Sequence, residues 1–229
     1  MTTREYKLNL WKEFMENTDY IRDREKDTIG RIAGTYVDDT AFLFRIYEAF
    51  VQNERFLADE ENGVRYERDG EDYILSYEGK ECIFEKEDFR KVLIGMLDLL
   101  EDTLPLGTVV DLRKDAYKNV PEVEQVDHIR MVITYRFLGG EEDGYYFPYA
   151  GVVYPTGMLG RKEVLYFTRP LVDRVVKTGY RDEKEDAYVY LMKKELVIEK
   201  GKNSYGYAKE EEIEAFNRKV KKGEKNNGR

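Results

Sequence analysis

Apolar residues recur at two different periods along this chain, and the switches between them predict its elements. Over Tyr6–Arg24, Leu8, Trp11, Met15 and Thr18 share one side at helical spacing with charges opposite, which predicts a first helix. Gly30 and Gly34 are expected to interrupt that pattern. Asp38 or Asp39 then offers a short acceptor for the free amides of a second helix running to about Ala58. Phe42, Ile46, Ala49, Phe50 and Leu57 form its stripe, while Phe44, Tyr47, Val51 and Phe56 make it apolar on further sides. A helix this apolar is either deeply buried or packs on a partner.

The period then drops to two. Val64, Tyr66 and Arg68 alternate with Arg65, Glu67 and Asp69, and Tyr73, Leu75 and Tyr77 alternate with Asp72, Ile74 and Ser76. The turn signals Asp69-Gly70 and Glu78-Gly79 separate these runs from Cys82–Phe84, predicting a three-stranded antiparallel meander over Gly63–Glu85. Helical spacing returns over Asp88–Glu101, where Phe89, Val92, Leu93, Met96, Leu97 and Leu100 line one side and Gly95 is a tolerated weak point. Leu104-Pro105 ends that helix, because the residue before proline disfavours the α region.

Beyond Gly107 the pattern predicts strands at Thr108–Leu112, Ile129–Phe137, Tyr145–Val153 and Val164–Thr168. The polar link Arg113–Gln125 reads as a loop, and Gly139–Gly144 as a hairpin turn. Leu171–Lys177 fits a short helix or strand, Asp182–Glu199 a helix, and Glu210–Lys221 a charged terminal helix with Ile213, Phe216 and Val220 inside. The expected fold class is therefore α+β. An N-terminal module of helices and a β meander (1–103) precedes an antiparallel β-rich module with flanking helices (104–216) and a basic tail (217–229).

Composition narrows the function classes. Hydrophobic content of 41% supplies a core, charged content of 37% gives a wet surface, and 19 tyrosines point to sheet surfaces and interfaces. The net charge of −9 argues against nucleic acid as a partner, since phosphate binding needs a basic face. The tail from Asn217 holds six basic residues and one acid, leaving −14 on the rest. Cys82 is the single cysteine, so no internal disulfide forms and a reducing compartment is expected. No signal region follows Met1 and no run reaches the ~18–20 apolar residues of a membrane span, so a cytoplasmic protein is expected.

The catalytic candidates are sparse. His128 is the only histidine and sits at the start of a predicted strand beside Asp127. No glycine-flanked serine elbow accompanies it, and Ser76 and Ser204 lie in strand and loop contexts. Cys82 alternates into a strand as a small hydrophobe. The acids of Gly139–Gly144 lack calcium-loop spacing, and Gly151, Gly157 and Gly160 lack phosphate-loop spacing. The 47 acidic residues leave a carboxylate-based hydrolase open without pointing to one. No cofactor or metal is expected.

One stretch carries a signature. Leu104-Pro105-Leu106-Gly107-Thr108-Val109-Val110 is followed by a β-rich run and then by Tyr149-Ala150-Gly151-Val152-Val153-Tyr154-Pro155-Thr156-Gly157. Val164-Leu165-Tyr166-Phe167 and a segment ending Gly179-Tyr180 follow in turn. Over about Leu104–Glu195 this order resembles a domain-of-unknown-function family of Gram-positive bacteria, encoded beside LXG-type toxins of the type VII secretion system. Asp111 interrupts the opening strand where the family is more apolar, and the insert Arg113–Gln125 is long. The resemblance implies a non-enzymatic cytoplasmic chaperone or targeting factor that binds such a toxin through protein contacts; the alternatives are an immunity protein that neutralises it, or a carboxylate hydrolase. An acidic adaptor would suit a basic toxin surface. The candidate contact residues are Phe42, Phe44, Tyr47 and Val51 on the over-apolar helix and Tyr145, Tyr146 and Tyr149 on the Tyr-rich strand. Pro105, Gly107, Tyr154, Pro155, Gly157, Gly179 and Tyr180 are expected to shape turns. Stoichiometry is left open.

Overall fold

The computed structural model describes residues 2–114, 128–158, 164–214, 216 and 218. It has the α+β fold expected, divided into two compact units: Met1–Asp102 with Asp186–Gly201, and Thr103–Glu185 with Lys202–Arg229. The segment Asp186–Gly201, which the sequence pattern assigns to the β-rich module, groups with the first unit. Most of the link Arg113–Gln125 and most of the basic tail lie outside the described residues.

In the first unit, α1 (Thr3–Glu16) opens with a capping box. Thr2 accepts from the Glu5 amide while the Glu5 carboxylate accepts from the Thr2 amide at 2.7 Å. Asn17 ends the helix by returning both its amide and its side-chain nitrogen to the Glu13 carbonyl, so the helix expected to reach Arg24 stops earlier. The second helix, α2 (Asp23–Tyr36), runs through Gly30 and Gly34 instead of breaking there. A Cβ at Gly30 would stand 3.5 Å from the Met15 methyl, an ordinary van der Waals contact that the helix can accommodate. Asp39 accepts from the Ala41 amide at 2.9 Å at the start of α3 (Ala41–Val51). Asn53, at φ 55°, turns the chain out of α3, and β1 (Phe56–Asp59) takes residues expected to be helical.

β1 joins β2 (Val64–Asp69), β3 (Asp72–Tyr77) and β4 (Lys80–Phe84) in a four-stranded antiparallel sheet. The expected meander thus gains one edge strand. Its inward row, Tyr66, Leu75 and Cys82, is set by the register, and α4 (Lys86–Leu100) packs on the sheet through Phe89. The Phe89 ring lies within 5.4–5.5 Å of the rings of Phe50, Tyr66 and Tyr73. Gly95 is the contact point with α1, since a Cβ there would fall 2.5 Å from the Phe14 ring. The amine of Lys193, buried near the end of α5 (Glu183–Lys193), donates to the carbonyls of Leu99 and Glu101 and so satisfies acceptors left free at the end of α4. A π-helical stretch, Lys194–Glu199, continues α5.

The second unit holds β5 (Val109–Leu112), β6 (Ile129–Leu138), β7 (Tyr145–Val153), β8 (Leu165–Phe167), β9 (Val172–Lys177) and the short β10 (Asn203–Ser204). The sheet order is β10-β7-β6-β5-β9, with β8 also on β7; every pair is antiparallel except β10 with β7. One face forms a core of Val110, Leu112, Ile129, Met131, Ile133, Tyr149, Phe167 and Val172. Below it, Arg136 is buried and paired with Glu185 at the start of α5, with Nη2 donating at 2.9 Å. Asp182 caps that helix by accepting from the Lys184 and Glu185 amides.

Candidate functional site

The opposite face of the second sheet is built from residues that the strand alternation turns away from the core. Val109 and Asp111 occupy it on β5. Register places Arg130 of β6 and Arg174 of β9 directly on either side of Asp111, and Val132 and Lys177 on either side of Val109. Val132 pairs in turn with Val152 of β7. A bulge in β6 between Ile133 and Tyr135 keeps Tyr135 on this face, opposite Ala150, which is flanked by Tyr166 of β8. Tyr154 follows β7 and donates its amide to the Arg130 carbonyl. The face therefore carries three rows: Tyr135 and Tyr166; Val109, Val132 and Val152; then Tyr154, Arg130, Asp111 and Arg174.

The charged row is rigidly made. Arg130 Nε and Nη2 donate to the two Asp111 oxygens at 2.7 and 3.0 Å, and Arg174 Nε donates to Asp111 Oδ2 at 2.8 Å. Asp111 is 1% exposed, whereas the side chains of Arg130 and Arg174 are 31% and 56% exposed. The Arg130 hydrogen bonds are the main cause that holds the Asp111 carboxyl down at about 2, against the opposing effect of burial, with Arg174 adding to the same direction. The carboxylate thus stays ionised under all ordinary conditions and holds two guanidinium groups in place. The trio carries one net positive charge. The two tyrosines at the other end are half exposed, Tyr135 at 53% and Tyr166 at 48%. The Phe147 ring, 5.1 Å from Tyr166, also meets Tyr205 and Phe216, so the chain's own C-terminal segment packs on β7 near the aromatic end.

The expected turn residues frame these strands. Pro105 is buried, and its carbonyl accepts from the Thr108 hydroxyl at 2.7 Å. Gly107, at φ 78°, donates its amide to Ile133, which docks the opening segment on β6. The Gly179 amide donates to Thr108 Oγ1, and a Cβ at Gly179 would fall 2.0 Å from the Leu106 carbonyl oxygen, so only glycine fits. Gly157, at φ 60°, closes the Tyr154-Pro155-Thr156-Gly157 turn onto the Val153 carbonyl. Tyr180 is 81% exposed.

The expected contact residues lie elsewhere. Tyr145, Tyr146 and Tyr149 are buried, because β7 has neighbours along both edges and is covered on both faces at this end. As the chain stands they present no surface. Phe42 is buried against Tyr36, Phe44 and Tyr47 are half-buried with stacked rings, and only Val51 of that helix set is exposed. Cys82 is buried and its thiol is pushed up to about 11, chiefly by burial, so it is a packed hydrophobe and not a thiolate. His128 is exposed, immediately before β6. Among the described residues no group of three His, Cys, Asp or Glu is arranged to hold a metal ion, and no helix is long and apolar enough to cross a membrane.

Charge is also divided between the units. The first carries 29 acidic and 18 basic residues, a net of −11, and the second 18 acidic and 20 basic, a net of +2. The tail from Asn217 supplies +5 of that balance and the rest of the second unit −3, so most of the acidity, but not all of it, lies in the first unit. Arg130, Arg174, Tyr135 and Tyr166 were not legible as a site in sequence. The one signal was the lone charge of β5, Asp111 between Val110 and Leu112.

The fold and the face together define an α+β protein with an open, partly aromatic sheet surface. Residues 103–188, which contain all of β5 to β9, match the model of a domain of unknown function (DUF4176). No curated protein and no solved structure matches the chain.

Proposed function

We propose that this chain is a non-enzymatic cytoplasmic accessory protein, a chaperone or targeting factor, that binds an LXG-type toxin of the type VII secretion system through protein–protein contacts. The observation that carries the reading is the open face of the second sheet. It combines half-exposed tyrosines with preorganised arginines, the residue types that dominate binding hot spots. The strands that build the face all fall within residues 103–188, the stretch that matches the family model. The toxin as partner rests on the family resemblance.

Co-expression with an LXG-type toxin followed by size-exclusion chromatography tests the reading. The expected result is co-elution, lost when Tyr135 and Tyr166 are both changed to serine. Separate elution of the wild-type proteins refutes it. Rescue from cytoplasmic toxicity with export unchanged would move the role to immunity.

A further inference from the structure

We propose that the open face of the second sheet receives an amphipathic helix of the partner protein, apolar along the valine row and carrying a carboxylate at one end that lies against Arg130 and Arg174. The inference rests on the reading of this face as a protein-binding surface and adds the chemistry of the occupant. Its sign is opposite to the net charge of the whole chain and follows from the local row of two arginines around one aspartate.

Two observations carry it. The first is charge. Asp111 engages the Nε and Nη2 groups of both arginines and leaves Nη1 of each unengaged by it, so the row offers oriented guanidinium donors with a net positive charge. Guanidinium pairs well with carboxylates in such planar, fixed geometry. The second is shape. Val109, Val132 and Val152, with Lys177 at the end of their row, form a low floor between taller tyrosine and arginine rows, and a helix is one of the two covers, with a second sheet, that such a face takes.

The spacing sets the pattern of the occupant. Rows on one face recur every two residues, about 7 Å, so the tyrosine and arginine rows are roughly 14 Å apart. A helix lying along the strands covers that distance in about nine residues. Same-face positions that bracket this distance are about eight and eleven residues apart, so the carboxylate should stand about eight or eleven positions from the residue that meets Tyr135 and Tyr166. A nucleic acid is disfavoured, because the face offers two arginines and Lys177 beside an apolar floor and no extended basic track.

Fluorescence anisotropy with a labelled amphipathic peptide tests this. The probe is about 20 residues long, enough for a helix to form alone, with a leucine stripe and two glutamates at one end. Matched peptides carry glutamine or lysine in place of the glutamates. The glutamate peptide is expected to bind, at least about tenfold more tightly than the other two and with an affinity that falls as salt rises. Arg174→Gln in the protein is expected to weaken it by a similar factor. Arg174 is half exposed and Arg130 still satisfies Asp111, so this variant should remain folded, as a melting curve would verify; Tyr135→Ser gives an independent second variant at the other end of the face. Equal binding of all three peptides, no effect of Arg174→Gln, no binding up to millimolar peptide, or tighter binding of a single-stranded oligonucleotide each overturns the proposal. Co-elution of a toxin with wild-type and Arg174→Gln protein alike would sink the acidic-helix inference while leaving the accessory reading intact. Peptide binding without any toxin complex would do the reverse.

Discussion

Replacing Asp111 with asparagine should loosen the second unit while leaving its hydrophobic core untouched. Asp111 is buried, points away from the core, and accepts from both Arg130 and Arg174. Asparagine keeps the size but loses the charge, and it turns N–H donors toward guanidinium donors. The magnitude follows from the carboxyl itself. Its folded value of about 2 lies nearly two units below that of an unfolded aspartate, which corresponds to at most about 2.5 kcal/mol. Solvent around the half-exposed Arg174 screens part of this, so a loss of about 2 kcal/mol is expected. For a unit of this size that is a fall of roughly 8 °C in melting temperature. Because the folded carboxyl is the stronger acid, its contribution is complete above about pH 4 and disappears as pH falls through 2. The gap between wild type and variant should therefore be constant from neutral pH down to about 4 and should close below it. Trp11, the single tryptophan, lies in the first unit and does not report on this site. Near-ultraviolet circular dichroism of the tyrosines, or hydrogen exchange in β5, does. A variant as stable as wild type at pH 7, or a gap unchanged down to the lowest pH that wild type survives, would refute the account.

Glycine substitutions should separate by position. Gly179→Ala should cost about 1–3 kcal/mol, because the added carbon strikes the backbone of Leu106 and Thr108, whereas Gly34→Ala, in open space within α2, should gain up to about 1 kcal/mol in a urea titration. Gly95→Ala should also destabilise, by about 1–3 kcal/mol, and Phe14→Leu in the same chain should recover part of the loss. Lys193→Met should cost about 1–3 kcal/mol at pH 7 by leaving the Leu99 and Glu101 carbonyls without their donor. Burial lowers the Lys193 amine to about 8, below its unfolded value, so wild-type stability should gain from this group as pH rises from about 8 toward 10.5, and urea midpoints across that range should show the gain vanish in the methionine variant.

Local pattern accounts for much of the architecture. The alternation over Val64–Tyr77 specifies the paired strands β2 and β3, and the turns at Gly70 and Gly79 adopt the positive φ that those glycines announce. The 3.6-residue spacing over Phe89–Leu100 corresponds to α4. The departures have local causes that a periodicity count does not see. Asn17 ends α1 with its own side chain, Gly30 lies inside α2 at ordinary packing distance from Met15 and does not break it, and Asn53 turns the chain out of α3 so that Phe56 begins an edge strand.

The candidate face illustrates the remaining division. The sequence by itself determined which residues alternate on each strand, and so that Val109 and Asp111, or Arg130 and Val132, share a side. It also determined the turns at Gly107, Gly157 and Gly179 that end those strands. Only the tertiary structure decided that Asp111 stands between Arg130 and Arg174, since those partners are 19 and 63 residues away and strand order is not written in any local period. Only the tertiary structure likewise placed Tyr145, Tyr146 and Tyr149 inside, because burial of a strand depends on what lies on both of its edges and faces. A tyrosine's composition is the same in a core and on an open sheet; its neighbours, brought in from distant sequence, decide which of the two it joins.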